Sequence, residues 1–307
     1  MTPAPPLPPG REPHTVRVAA VQYGQRRVAS LAEFVDQAES SVLAAAGYGA
    51  DFVLFPEFFP LQLLSTAPAM IPTGADVDEL TRLTPAFREA MAGLARRHRI
   101  NLLAGSHPVR MPDGRAENLC HVFLRDGAMH VRAKIHPTPS EAAAWHLRGG
   151  DALDVIPTDC GPVGVLICYD SEFPELGRRL ADQDARILFV PYCTDDRAGH
   201  LRVRLCCQAR AIENQMYVVT AGNVGHLPGV AQMDIQYAQS AVLTPCDFPF
   251  ARDGVAAEAE PGVPMLVLAD LRMDALQRAR DNGTVRNLRD RRSDLYRVEW
   301  KGGACGS

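Results

Sequence analysis

Three side chains suited to covalent or acid–base chemistry each follow a short apolar run. Glu57 comes after Phe52-Val53-Leu54-Phe55-Pro56, Lys134 after Val131-Arg132-Ala133, and Cys168 after Gly164-Val165-Leu166-Ile167. Glu57 stands among the aromatics of Phe55-Pro56-Glu57-Phe58-Phe59, where desolvation is costly and pushes a carboxyl pKa upward. The alternative is a strand-end carboxylate turned out to solvent. Cys168 precedes Tyr169-Asp170-Ser171-Glu172-Phe173-Pro174-Glu175, and a cysteine on such a tight strand-to-helix turn is well placed for nucleophilic attack. Backbone N–H groups after it are positioned to hold an oxyanion. Burial statistics alone favour a small, inert core cysteine. Lys134 precedes Ile135-His136-Pro137-Thr138-Pro139-Ser140-Glu141. The two prolines exclude a regular helix there and put Lys134 at a strand end entering a rigid loop. A lysine judged alone extends to water.

The elements that must position these residues are read from periodicity. Thr15–Gln22 is a strand, and Ser30 with Glu33 forms a capping-box pattern opening a helix. Its apolar face is Leu31, Phe34, Val35, Ala38, Val42 and Ala45, and Gly47 and Gly49 end it. Phe52–Phe55 is a short apolar strand. A second helix is expected to start at Thr84-Pro85, followed by a strand over Asn101–Ala104. Asn118–Leu124 and Met129–Ala133 read as a hairpin joined through Asp126-Gly127. Further strands are expected at Val163–Ile167, Arg186–Val190, Met216–Ala221, Ala238–Leu243 and Met265–Leu271, with helices from Pro174 and over His200–Asn214. This alternation argues for one α/β domain over residues 15–300, between a disordered proline-rich tail at 1–14 and a short tail at 301–307.

The order Glu57, Lys134, Cys168, each at the end of an apolar strand, resembles the nitrilase superfamily of carbon–nitrogen hydrolases. The matching segments are Phe55-Pro56-Glu57, Lys134-Ile135-His136 with Glu141, and Cys168-Tyr169-Asp170 with Phe173-Pro174-Glu175. Ala209-Arg210-Ala211-Ile212-Glu213-Asn214 before Tyr217-Val218-Val219 is similar to the family's helix-to-strand transition. The resemblance implies a four-layer α-β-β-α sandwich and a covalent acyl-enzyme route. On that model Glu57 is the general base, Cys168 the nucleophile, and Lys134 with the Tyr169 backbone N–H stabilises the oxyanion. Glu141 matches a further positioning glutamate. The chain departs from the pattern at Glu172, where many relatives carry arginine, and at Tyr192-Cys193-Thr194-Asp195-Asp196-Arg197, where many carry tryptophan. Glu172, Asp195 and Asp196, with Trp145 or Tyr192 nearby, form an acidic pocket suited to a substrate bearing an ammonium group. Alternatively, Asp195 and Asp196 cap the following helix or pair with Arg197 and Arg202. The resemblance also implies a homodimer or larger homo-oligomer.

Other classes receive little support. The formal net charge is −4, and the arginines of the run Arg286–Arg297 alternate with Asp290 and Asp294, so no nucleic-acid partner is expected. No apolar run spans a bilayer and no secretory signal opens the chain, so no membrane partner is expected. Eight irregularly spaced cysteines fit a reducing, cytoplasmic setting. Cys193, His200, Cys206 and Cys207 lack the spacing of a metal site, so no metal is expected. No G-x-S-x-G elbow, phosphate loop or dinucleotide fingerprint occurs, and no cofactor is expected. Hydrolysis of a small amide leads. Nitrile or N-carbamoyl hydrolysis, acyl transfer through the same thioester, and a non-catalytic binding protein are the alternatives.

Overall fold

The computed structural model describes residues 14–67, 71 and 75–302. The proline-rich segment at 1–13 and residues 303–307 lie outside the described residues.

Strand β1 (Thr15–Gln25) is apolar on both faces because both are covered: Val16, Val18 and Ala20 enter one core, Ala19, Val21 and Tyr23 another. Around it runs a six-stranded array in the order β11 (Met265–Arg272), β1, β2 (Phe52–Leu54), β3 (Asn101–Arg110), β4 (Ala116–Phe123), β5 (Met129–Ala133). A second array has the order β6 (Val163–Val165), β7 (Ile187–Tyr192), β8 (Tyr217–Gly225), β9 (Ala241–Leu243), β10 (Val255–Glu258). The two join where Tyr23–Gln25 pair in parallel with Asn223–Gly225.

The arrays face each other across a core in which Phe52 meets Phe189, ring centroids 5.1 Å apart. Helices α1 (Leu31–Gly47) and α2 (Ala75–His98) cover the outside of the first array through Phe34, Ala38, Phe87 and Met91. Helices α4 (Pro174–Asp182) and α5 (Arg197–Glu213) cover the second through Leu176, Leu180, Val203 and Cys207. The result is the α-β-β-α sandwich. The Asp-Gly hairpin forms between β4 and β5, with Gly127 left-handed at φ +98°.

Two expectations are corrected. The second helix does not start at Thr84-Pro85: α2 runs from Ala75, with Pro85 inside it. Val77, Leu80 and Leu83 extend its apolar stripe upstream at helical spacing, and this burial outweighs the N–H that Pro85 lacks. The loop after Lys134 is likewise helical from the second proline onward, as α3 (Pro139–Trp145). Pro139 occupies its first turn, where a missing N–H costs nothing, and Thr138 with Glu141 forms a complete capping box. Helix α6 (Met273–Asn282) was also not anticipated.

Direction matters most for the site. Strands β1, β2 and β3 are parallel, and two antiparallel pairings bring β5 back to that direction. Strands β6, β7 and β8 run parallel to one another and to β1. The carboxyl ends of β2, β5, β6 and β7 therefore open at the same end of the sandwich, where ligands of open α/β sheets gather.

Candidate active site

Beyond β2 the chain bends so that Glu57 bridges to Ser106 of β3 and the Phe58 N–H donates to the Ser106 carbonyl at 2.7 Å. This close approach needs Gly105, at φ +59°, because a Cβ there would stand 2.0 Å from the Pro56 carbonyl oxygen. Asn223 Nδ2 donates to the Glu57 carbonyl at 2.6 Å, and the Glu57 side chain is turned inward, buried.

Lys134, also buried, leaves β5 with its Nζ donating at 2.8 Å to Glu57 Oε1 and at 2.8 Å to both carboxylate oxygens of Glu141. Asn118, a buried amide within β4, donates to Glu57 Oε1 at 2.8 Å. Glu141 does two things at once: it caps α3 through the Thr138 N–H and holds the ammonium.

Cys168 opens a 3₁₀ turn (Cys168–Glu172) with its own backbone left-handed at φ +48°. Such a conformation in a non-glycine residue persists only when its surroundings hold it. The buried Asp170 carboxylate accepts from the N–H groups of Ile135 at 3.0 Å and His136 at 2.8 Å, tying the elbow to the Lys134 segment. Ser171 Oγ donates to the Cys168 carbonyl at 2.7 Å, and Arg210 of α5 donates from Nε to the Ser171 carbonyl at 3.0 Å. The Cys168 thiol points to the Cys193 carbonyl at 3.7 Å.

Burial pushes the Glu57 carboxyl up to about 7, with the Lys134 cation pulling it down and Glu141 adding to the rise. Burial alone would depress the Lys134 ammonium, yet Glu57 and Glu141 hold it well above the usual lysine range. Burial, with the Glu57 charge behind it, raises the Cys168 thiol well above its usual range. The resting arrangement is thus a neutral thiol beside a carboxyl that titrates near neutrality and a permanent cation.

These groups form the floor of a cavity of about 530 Å³, also lined by Phe58, Tyr169, Glu172, Cys193, Asp195, Asp196 and Arg202. Asp196 caps α5, accepting from the Gly199 N–H at 2.6 Å, as the plainer reading of that residue has it. Trp145 and Tyr192, expected at the pocket, are not among its lining residues. Trp145 is buried against Phe58 with its Nε1 donating to Asp76 at 2.6 Å, and the Tyr192 hydroxyl lies between His200 and the Gln239 N–H. Both large side chains are spent on internal packing. Sequence reasoning assigned no site role to Asn118, Asn223, Asp170 or Arg210. Asn118, an amide in a wholly buried strand, carried the one local signal; the other three act through contacts distant in sequence. Among the described residues no three His, Cys, Asp or Glu side chains gather as a metal site.

A family model for carbon–nitrogen hydrolases matches residues 17–280. The chain is 44% identical over 286 residues to the probable hydrolase YhcX of Bacillus subtilis, covering 93% of this chain and 55% of that protein. It is 30% identical over 198 residues to the chloroplastic omega-amidase of Arabidopsis thaliana, covering 61% of this chain and 52% of that one. The chain therefore spans about half the length of these curated relatives. Among solved structures, Saccharomyces cerevisiae Nit3, a member of branch 10 of the nitrilase superfamily, superposes with a TM-score of 0.70 at 22% identity, over 87% of this chain and 93% of Nit3. The family match over most of the chain shows that this protein belongs to the carbon–nitrogen hydrolase family.

Proposed function

We propose that the protein hydrolyses a small, non-peptide amide through a thioester on Cys168. One observation carries this reading: a buried lysine bridges two carboxylates at 2.8 Å beside a thiol on a left-handed elbow, all at the floor of one cavity. The similarity to the Arabidopsis omega-amidase supports the same reaction class.

Because the Cys168 thiol is neutral at rest, its proton leaves during attack. Glu57 accepts it as Sγ bonds to the carbonyl carbon. The carbonyl oxygen gains negative charge, which the Lys134 ammonium and the Tyr169 N–H stabilise; N–H groups at the start of a helical turn have no acceptor within it. Collapse breaks the carbon–nitrogen bond while Glu57 returns its proton to the departing amine. Water then gives a proton to Glu57 and attacks the thioester, releasing the acid and restoring the thiol. Glu141 is a positioning residue, holding Lys134 from the side opposite Glu57.

Intact mass after mixing the protein with a panel of small amides tests this, with Cys168→Ala as control. An acyl-sized adduct on the wild type and none on Cys168→Ala is expected. Amide turnover that survives in Cys168→Ala would overturn it.

A further inference from the structure

Asn118 stands opposite Lys134 across the β4–β5 ladder, beside the Leu119–Ala133 pair, and its backbone carbonyl accepts the Lys134 N–H at 2.9 Å. Residues opposite each other in an antiparallel pair send their side chains to one face, so the strand register alone places this amide beside the lysine. The buried Asn118 side chain aims its donor end at the carboxylates. Nδ2 lies 2.8 Å from Glu57 Oε1 and 3.4 Å from Glu141 Oε1, while Oδ1 has no hydrogen-bond partner among the described residues. The amide is committed to the carboxylate pair rather than to the fold around it.

Glu57 Oε1 thus receives two donors, Asn118 and Lys134, both at 2.8 Å, and its other oxygen is held by neither. The Lys134 ammonium has three N–H groups, and they meet three oxygens: Glu57 Oε1 and both oxygens of Glu141, each at 2.8 Å. Serving an oxyanion therefore means turning an N–H away from a carboxylate, and Asn118 is then the donor that keeps Glu57 in place. Resting on Glu57 as the general base, we infer that Asn118 is a positioning residue for the reaction: it pins Oε1, presents Oε2 to the Cys168 thiol, and favours the ionised carboxylate while Lys134 changes partners. A hydrogen bond to the charged form of a carboxyl favours that form, and it is stronger in a dry site than in water. The charged and titratable groups facing Glu57 are Lys134 from β5, Glu141 from α3, Cys168 on the elbow, Cys193 beyond β7 and Cys120 in β4. Besides the reacting thiol, Asn118 is the one neutral side chain donating to its carboxylate among the described residues.

Alkylation of Cys168 by iodoacetamide tests this without any amide being cleaved. Sγ bonds to the methylene carbon, iodide leaves with the bonding electron pair, and Glu57 takes the thiol proton. Rates are read by peptide mass at Cys168 from about pH 5 to about pH 10, spanning both groups. In the wild type the rate should rise through about pH 7, as the Glu57 carboxylate forms. Asn118→Thr keeps the volume and suits a strand, but its hydroxyl is a bond too short to reach Oε1. Asn118→Asp keeps the shape and replaces the donor by a carboxyl. The rising limb should move up by about one pH unit in Asn118→Thr, so that the rate at about pH 6 falls roughly tenfold relative to its own plateau. It should move further in Asn118→Asp. Loosened packing alone lowers the whole profile and leaves its midpoint in place. A wild-type midpoint of about 7 that neither variant moves would overturn the inference and leave Glu57 as the base. A wild-type rate that rises only in the ordinary cysteine range, and does so equally in Glu57→Gln, would overturn both. Failure of both variants to fold in denaturant melts would make Asn118 a structural residue and overturn the inference too.

Discussion

Glu57 and Lys134 are unequal partners in what their loss would do. Glu57→Gln keeps a hydrogen-bonding group beside Lys134 but removes the base, so kcat/KM should fall by roughly 10²–10⁴. In the wild type kcat/KM should rise as pH increases through about 7, because the carboxylate is the form that accepts the thiol proton. The stability effect has the opposite sign. The folded-state value of about 7 lies above the ordinary 4.5, so the folded protein binds the proton more tightly. That contribution is complete below about pH 4.5 and is lost as pH rises through about 7. Glu57→Gln cannot lose it, and its unfolding free energy relative to wild type should increase between pH 5 and pH 8 in urea titrations. Replacing Lys134 by Ala is more severe, because Glu57 and Glu141 are then left buried without their cation. A loss of about 3–5 kcal/mol is expected in the same titrations.

At the level of elements, the site depends on turns rather than on strand interiors. Gly105→Ala places a Cβ against the Pro56 carbonyl at a positive φ, so the bend that carries Glu57 must shift. A destabilisation of roughly 2–4 kcal/mol and a loss of kcat are expected together, read by denaturant melts and turnover. Thr138→Ala removes the side-chain half of the α3 cap at a cost of about 1 kcal/mol. Its activity should fall more than so small a stability loss explains, because the same cap orients Glu141 toward Lys134. The element errors share a cause. Thr84-Pro85 carries a local start signal and Pro137 with Pro139 a local break signal, and neither accounts for the flanking residues. In α2 the apolar stripe overrides the proline; in α3 the Thr138–Glu141 cap makes it compatible with a helix.

At the scale of the whole molecule, the parallel directions of β2, β5 and β6 bring residues 57, 134 and 168 together, and the packing of the two arrays keeps them there. Phe52 packs against Phe189 across that interface, and Phe52→Ala should cost about 3–5 kcal/mol in denaturant melts. The arginines of the C-terminal run pair with Asp290, Asp182 and Asp294, which makes it a salt-bridged arm over the body. Among the described residues no helix is long and apolar enough to cross a membrane.

The sequence by itself determined the alternation of strands and helices, the Asp-Gly hairpin and the identity of three chemically able residues. These follow from side-chain period, turn chemistry and apolar flanks, all local properties. Only the tertiary structure decided that Glu57 bonds Lys134 rather than facing water, that Cys168 stands at a cavity floor rather than in an inert core, and that Trp145 and Tyr192 are spent on packing. The reason is physical: whether a carboxyl, thiol or indole is free to meet a ligand depends on what lies opposite it. At this site Asn118 and Asn223 reach Glu57, Arg210 reaches the Cys168 elbow, and Asp170 ties that elbow to Ile135 and His136, all across sequence separations that no local pattern records.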